Sequence, residues 1–238
     1  GLGRLIEEIP FVSRTPHVGR SNVPAGEVAL PLLTGLPRLW RVRNSVFSAD
    51  YDERAFNSLI WPQRYWQRKR FEIITRFVES PAAILDIGCG SSKIIQAFPG
   101  AVGLDILLKK LRYLFKRRSR LVQGSAFHLP FADASFNTVI CSEVIEHIPF
   151  DEILFDEFRR VLRPGGVLVL GTPDYGTWVW PAIEWLYGKI VPGGYAHEHI
   201  THYTARQLVE LVQSRGFQVE DVQAICSAEL ILKARLPA

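Results

Sequence analysis

Residues 82–93 read Ala82-Ala83-Ile84-Leu85-Asp86-Ile87-Gly88-Cys89-Gly90-Ser91-Ser92-Lys93. A short apolar run ends in an acid, then comes a glycine-rich turn, then a helix start. The run Ala83 to Leu85 reads as a buried strand. Gly88 and Gly90 lack a Cβ, so the backbone there can turn sharply and approach a ligand closely. Ser91 or Ser92 is expected to cap the helix that follows. Strand, tight turn and helix in that order put a ligand at the carboxyl end of a parallel sheet.

A dinucleotide fingerprint requires a third glycine, because the pyrophosphate sits on the helix N-terminus. Here Gly90 is followed by Ser91, Ser92 and Lys93, and that pattern fails. Asp86, two residues before the first glycine, would sit badly beside a pyrophosphate. It suits a ligand that carries positive charge.

Further along the chain stand Val102-Gly103-Leu104-Asp105, the segment Gly124-Ser125-Ala126-Phe127-His128-Leu129-Pro130-Phe131, and the run from Phe136 to Ile148, which contains Ser142-Glu143-Val144-Ile145-Glu146-His147. Arg160-Val161-Leu162-Arg163-Pro164-Gly165-Gly166 follows. Together with Ile84 to Gly90, this series resembles the class I S-adenosylmethionine-dependent methyltransferases of the methyltransferase-11-like, small-molecule type. The resemblance covers roughly Phe71 to Lys233, with its motifs in register. It implies an α/β fold: a Rossmann-like, seven-stranded, mostly parallel sheet with helices on both faces. It implies S-adenosyl-L-methionine as cofactor, whose ammonium and sulfonium are the positive charges that Asp86 would meet.

By the same resemblance, the turn Gly88, Cys89 and Gly90 holds the methionine portion with help from Asp86. Asp105 takes the ribose hydroxyls, and Ile106 packs on the adenine. Ser125, Ala126 and Phe127 lie at the adenine edge, and Ser142 and Glu143 face the cofactor after the fourth strand. Two departures stand out. Ser92 replaces a third glycine, and Ser125 replaces an aspartate that accepts from the adenine amine. A competing role for Asp105 is a helix cap before Leu107.

The alternation of elements agrees with this reading. Strands are expected at Ala82–Asp86, Ala101–Asp105, Arg120–Gln123, Asn137–Cys141 and Val167–Gly171, and helices at Ser92–Phe98, Leu107–Arg117 and Asp151–Leu162. Two more strands, near Phe217–Ala224 and Glu229–Lys233, follow from the resemblance, the last antiparallel. Thr204 with Gln207 forms a capping box, and Gly216 stops that helix. Three regions are expected: a proline-rich arm over 1–50, cap helices over 51–80 with Pro62 opening the second, and the methyltransferase domain over 81–238. The domain carries an aromatic insertion at about 172–203.

The 238 residues carry 28 Lys+Arg against 24 Asp+Glu, a net +4 too small to imply nucleic acid by itself. Lys109 to Arg120 is basic, but Leu107, Leu108, Leu111, Leu114 and Phe115 give that helix an apolar face, so its charges read as the solvated side. Cys89, Cys141 and Cys226 are far apart, which argues for reduced thiols and a cytoplasmic location. No apolar stretch reaches the ~18 residues of a membrane span.

Methyl transfer from a sulfonium leaves a neutral product, so alignment and exclusion of water carry the catalysis. His147 is the candidate general base for a hydroxyl acceptor, set against a structural histidine tying down its loop. His199 and His202 are candidates for acid/base work on the substrate side. With His197 and Glu198 they resemble a metal cluster, but the spacing fits no helical pair of ligands, and no metal is expected. Tyr65, Trp178, Trp185 and Tyr195 are the candidate substrate contacts, with Tyr51 and Arg68 as further cap-helix contacts. The acceptor is expected to be small and apolar or amphiphilic. The aromatic insertion is also compatible with peripheral membrane contact or a homodimer. Nucleic-acid and protein acceptors lack support, since no Asn-Pro-Pro-Tyr-like sequence follows the fourth strand. A non-catalytic scaffold on the same fold is the reading from a different class.

Overall fold

Four fully buried residues, Ile84–Ile87, form strand β1 at the middle of the sheet. Their side chains alternate: Leu85 and Ile87 join one apolar cluster, and Ile84 joins the other. A strand buried on both faces has no polar side to show, which is why this segment reads as an uninterrupted apolar run broken by one acid. The computed structural model describes residues 45, 48–116, 120–190 and 199–238, with the side chains of 187–190 left aside. The described residues fall within one unit, Trp40–Ala238. Most of the 1–50 arm lies outside them, as do Arg117, Arg118, Tyr195, His197 and Glu198.

Around β1 lie β2 (Val102–Asp105), β3 (Leu121–Gln123), β4 (Phe136–Ser142), β5 (Leu162–Pro173), β6 (Gln218–Ile225) and β7 (Glu229–Arg235). Their order is β3-β2-β1-β4-β5-β7-β6. β1 runs parallel to both β2 and β4, so the chain reverses its direction of travel across the sheet at β1/β4, the place where such sheets bind ligands. β7 is antiparallel to β5 and to β6. The expected seven-stranded, mostly parallel sheet is thus present, with its last strand reversed.

Helices cover both faces. On one side α1 (Tyr51–Phe56) precedes α2 (Trp61–Phe77), and α2 packs with α3 (Ile94–Ala97) and α4 (Leu108–Phe115) around Ile73, Ile74, Ile95 and Leu114. On the other, α5 (Glu152–Val161) and α7 (Ala205–Ser214) bury Phe155, Phe158, Leu208 and Val212. Each of these two helices has its own cap. The Asp151 carboxylate accepts from Ile153 N–H, and Thr204 and Gln207 form the expected capping box. Gly216, at φ +84°, ends α7.

Two expectations are corrected. The helix after the glycine turn is a single turn, Ile94–Ala97, with Lys93 at its N-cap; Ser92, one residue ahead, supplies the expected hydroxyl, its Oγ accepting from Ile94 N–H at 3.2 Å. Ser91 is engaged elsewhere, and Phe98, held extended ahead of Pro99, stops the helix early. β5 also begins five residues sooner than expected. Leu162 pairs with Phe136, an irregularity absorbs Pro164-Gly165-Gly166, and pairing resumes at Val167.

After β5 the chain forms α6 (Val179–Ile190) within the aromatic insertion.

Candidate active site

The turn between β1 and α3 is tied to the neighbouring strand. The N–H groups of Gly88 and Cys89 both donate to the Leu104 carbonyl, at 2.8 and 3.0 Å. Gly88 has φ +68°, and a Cβ there would stand 2.2 Å from Val144 Cγ2, so no other residue fits. That close approach also brings the loop after β4 directly against the turn. The Cys89 thiol is buried and pushed well up from its ordinary range, first by burial. It fills space beside Gly103 rather than serving as a nucleophile.

Two carboxylates flank the turn. Asp105, at the end of β2, accepts from Gly90 N–H at 2.8 Å and from Leu107 N–H at 2.7 Å. The second bond holds the residue that precedes α4, whose N-cap is Leu107 and not Asp105. Each carboxylate oxygen retains a further lone pair for a hydroxyl. Asp86 is 3 % exposed, and its Oδ2 has no hydrogen-bond partner among the described residues. Burial, then the charges of Asp105 and Asp52, raise its carboxyl to about 8. A buried, orphaned acid is costly unless something cationic meets it.

Beside Asp105, Ile106 is 69 % exposed, an apolar surface left mostly uncovered. Ser125 Oγ accepts from Phe127 N–H, so its hydroxyl proton is free to point outward or stay local. Ala126 and Phe127 are half-buried in the same loop. Orphaned acid, two hydroxyl-accepting oxygens and an exposed apolar shelf fit a cationic nucleoside such as S-adenosylmethionine. The residues that could hold it are Asp86, the Gly88–Gly90 backbone, Asp105, Ile106 and the Ser125–Phe127 loop.

Sequence reasoning missed Asp52. From α1 it reaches the turn, where Oδ2 accepts from Ser91 N–H, Ser91 Oγ–H and Lys110. Lys110, in the expected solvated face of α4, is therefore buried and paired. Nothing local marks Asp52, which lies in the first turn of a short helix.

A second cluster follows β4. Glu143 adopts φ +58°, a strained backbone for a side chain with a Cβ, and its N–H donates to Gly171 O. Ser142 Oγ is buried without a partner among the described residues. Arg70 of α2 reaches in. It pairs with both oxygens of Glu229 at 2.6 Å and with Glu143 at 2.9 Å. Trp66 also donates to Glu229. Burial pulls the Arg70 guanidinium down, but these carboxylates outweigh it and hold its pKa above the ordinary range.

Glu146, fully buried, accepts from Thr172 Oγ1 at 3.2 Å through Oε2. Burial raises its carboxyl to about 8. His147 and His199 stand beside it with ring centres 4.9 Å apart. The His199 side chain is 3 % exposed, and burial lowers its pKa to about 4, so the ring is neutral at neutral pH. Its Nδ1 lies 2.8 Å from the Tyr175 hydroxyl, which donates to Glu184. His202 is exposed and stacks on Tyr175 at 3.9 Å. The three histidines of the sequence reading therefore meet around Glu146 and Tyr175, although His202 stays one ring further out.

The candidate substrate residues are distributed differently. Trp178 and Trp185 stand exposed, while Trp180 turns inward against Trp66 and His199. Tyr65 stacks on Trp61 and lines a cleft of about 300 Å³ with Arg64, Arg68, Lys69 and Glu72, which includes none of the turn residues. Tyr51 is buried. Tyr195 lies outside the described residues.

A sheet of this order, with a glycine turn flanked by acids at β1 and β2, is the architecture that the resemblance to class I S-adenosylmethionine-dependent methyltransferases implies. The comparisons agree with that resemblance. A methyltransferase-domain family model matches residues 85–170. A probable S-adenosylmethionine-dependent methyltransferase of Mycolicibacterium smegmatis is 30% identical over 172 residues, 68% of this chain and 63% of its own length. The chain thus spans less than two thirds of that relative. A demethylmenaquinone methyltransferase of Lactiplantibacillus plantarum is 28% identical over 186 residues, 65% of this chain and 77% of its own. The fold matches a SAM-dependent methyltransferase from Thermotoga maritima with TM-score 0.59 at 16% identity, covering 88% of this chain and 99% of that one. Among the described residues no helix is long and apolar enough to cross a membrane.

Proposed function

We propose that the protein transfers a methyl group from S-adenosylmethionine to a small, apolar or amphiphilic acceptor. The observation that carries this reading is the orphaned carboxylate of Asp86 beneath a glycine turn, next to Asp105 and the bare Ile106 side chain. The cofactor supplies an electrophilic methyl on a sulfonium and leaves as a neutral thioether. The chain's own work is positional. Asp86 faces the cationic amino-acid portion, Asp105 accepts from the ribose hydroxyls while held by Gly90 and Leu107, and Ile106 lies under the adenine.

The acceptor enters beside the loop after β4. Trp66, Trp180 and Tyr175 offer it apolar walls, and removal of a proton from a hydroxyl acceptor falls to the group at Glu146, His147 and His199. The exposed Trp178, Trp185 and Leu186 extend that apolar character outward and suit an amphiphilic molecule. The name of one relative, demethylmenaquinone methyltransferase, points the same way.

The test is calorimetric titration with S-adenosylhomocysteine on the wild type and on Asp105→Ala, followed by a panel of quinone and phenol acceptors. Binding that is lost in the variant, with methylated product from the panel, is the expected result. A wild type that binds no S-adenosylhomocysteine sinks the reading. Binding without turnover of any acceptor would move a non-catalytic scaffold into first place.

A further inference from the structure

We infer that Glu146, His147 and His199 form a binding site for a divalent first-row metal cation, which presents an acceptor oxygen for methylation. Each of the three residues offers a ligand atom, and these atoms lie within 4.8 Å of one another. His147 Nε2 and Glu146 Oε1 are 3.9 Å apart. Two donors at about 2.1 Å from a tetrahedral ion stand about 3.4 Å apart, so a shift of about half an ångström closes the pair on a cation. Two imidazoles and one carboxylate are the donor set of open, catalytic zinc sites, in which a fourth position is left for water or substrate.

Three independent observations point to a ligand here. First, Glu146 is wholly buried, yet its Oε1 has no hydrogen-bond partner among the described residues. A carboxylate oxygen placed so is costly without a cation. Second, the neighbouring cation is already committed. Arg70 is spent on both oxygens of Glu229 and on one oxygen of Glu143, and the Glu143 Oε1 is also orphaned among the described residues. Third, His199 has the outer partner that ligating imidazoles use: Nδ1 is engaged by Tyr175, whose hydroxyl is in turn held by Glu184. His147 is half-buried, which leaves a side open to solvent and acceptor.

The inference rests on the methyltransferase reading and narrows it to an acceptor with a hydroxyl or phenol. Bound to the cation, the acceptor O–H is acidified and gives its proton to a water molecule. The oxygen keeps the electron pair, forms the new O–CH3 bond, and the S–CH3 bond breaks with its electrons on sulfur. The loop that carries Glu146 and His147 packs through Val144 on Gly88, so the cation sits on the same side of the sheet end as the glycine turn. On this view His147 is a ligand, and the proton leaves an activated oxygen without a histidine base.

The experiment is metal uptake by the full chain, without cofactor or acceptor. The chain is stripped with chelator and dialysed against Zn2+, Mn2+ or Co2+. Bound metal is then counted, and the visible absorption of the Co2+ form is recorded. One equivalent per chain is expected, with a Co2+ spectrum shared by no exposed-histidine control. Glu146→Gln and His199→Asn should abolish stoichiometric uptake, and His128→Ala, at an exposed histidine elsewhere, should leave it unchanged. Should the ligand variants misfold, Tyr175→Phe keeps all three donors and should weaken binding by about 10- to 100-fold through the outer partner. No uptake by the folded wild type, uptake unaltered in Glu146→Gln and His199→Asn, or full affinity in Tyr175→Phe would each overturn the site. S-adenosylhomocysteine titration of the same sample separates the two readings: binding there without metal uptake removes the cation and leaves the methyltransferase.

Discussion

Asp52 and Ser91 hold each other at both ends. Ser91 donates its N–H at 2.8 Å and its hydroxyl at 3.0 Å to Asp52 Oδ2, and Asp52 N–H donates back to Ser91 Oγ at 3.1 Å. The next residue repeats the arrangement, since Glu53 accepts from Lys93 and from the Tyr113 hydroxyl. A six-residue helix cannot be stable alone. These contacts fix α1 over the turn that should receive the methionine end of the cofactor.

Replacing Asp52 by Ala removes that fastening and leaves the buried Ser91 and Lys110 without their acceptor. A cost of about 1–3 kcal/mol is expected from the unsatisfied groups. Hydrogen exchange over residues 51–56 should rise, and S-adenosylhomocysteine should bind more weakly, because one of the acids around the turn is gone. Exchange unchanged from the wild type would show that α1 is held by its apolar contacts instead.

Asp86 makes cofactor affinity depend on pH. Its carboxyl, raised to about 8 in the free protein, is protonated through the neutral range, and a cationic ligand prefers the ionised form. Binding therefore expels a proton, and affinity for S-adenosylmethionine should climb from about pH 6 to about pH 8, by up to about tenfold per pH unit. The stability of the free protein moves oppositely. A folded-state pKa raised above the unfolded value favours folding at low pH, and that contribution is lost as pH rises through about 8. Asp86→Asn should flatten both profiles, which calorimetry in buffers of different ionisation enthalpy would reveal. A wild-type affinity that does not change with pH would refute the role.

Glu229 neutralises Arg70 inside the protein. Glu229 is fully buried and bonded to Arg70 through both oxygens, so Glu229→Ala leaves the guanidinium beside Trp66 with only its pair to Glu143 among the described residues. Breaking a buried pair from one side costs about 3–5 kcal/mol. Urea denaturation should show that loss, and the double variant Arg70→Met/Glu229→Ala should recover much of it. A double variant no better than the single would mean that packing, not charge, is what Glu229 provides.

How much of this was readable in the chain depends on distance along it. Asp86, Gly88, Gly90 and Asp105 were legible because strand, turn and helix follow one another within a few residues, and each step has a local signature. The cap at Thr204 was local in the same way. Asp52 meets Ser91 across 39 residues, and Arg70 meets Glu229 across 159. No periodicity or spacing encodes such pairs; the sheet order creates them. The histidines show the same limit. His199 was weighed with His197 and His202, its neighbours in sequence, whereas the fold pairs it with Glu146 and His147 from another loop. Among Trp178, Trp180 and Trp185, composition marks all three, and only the packing of α6 against Trp66 selects Trp180.

Ile106 provides a test that separates binding from folding. The side chain follows Asp105, whose oxygens accept from Gly90 and Leu107 N–H groups, and it is left mostly in water. An exposed isoleucine contributes little to folding, so Ile106→Ala should leave the melting temperature unchanged or slightly higher. If adenine covers it, the lost apolar contact costs binding about 1–2 kcal/mol, a factor of roughly 5–30 in affinity for S-adenosylhomocysteine. Adenosine alone should lose the same factor, because the contact lies on the base, whereas methionine binding should not change. Equal affinities for wild type and variant would move the adenine off this shelf and toward the Ser125–Phe127 loop. There Ser125→Asp, which adds a charged acceptor for the base's amine, becomes the variant that should change affinity instead.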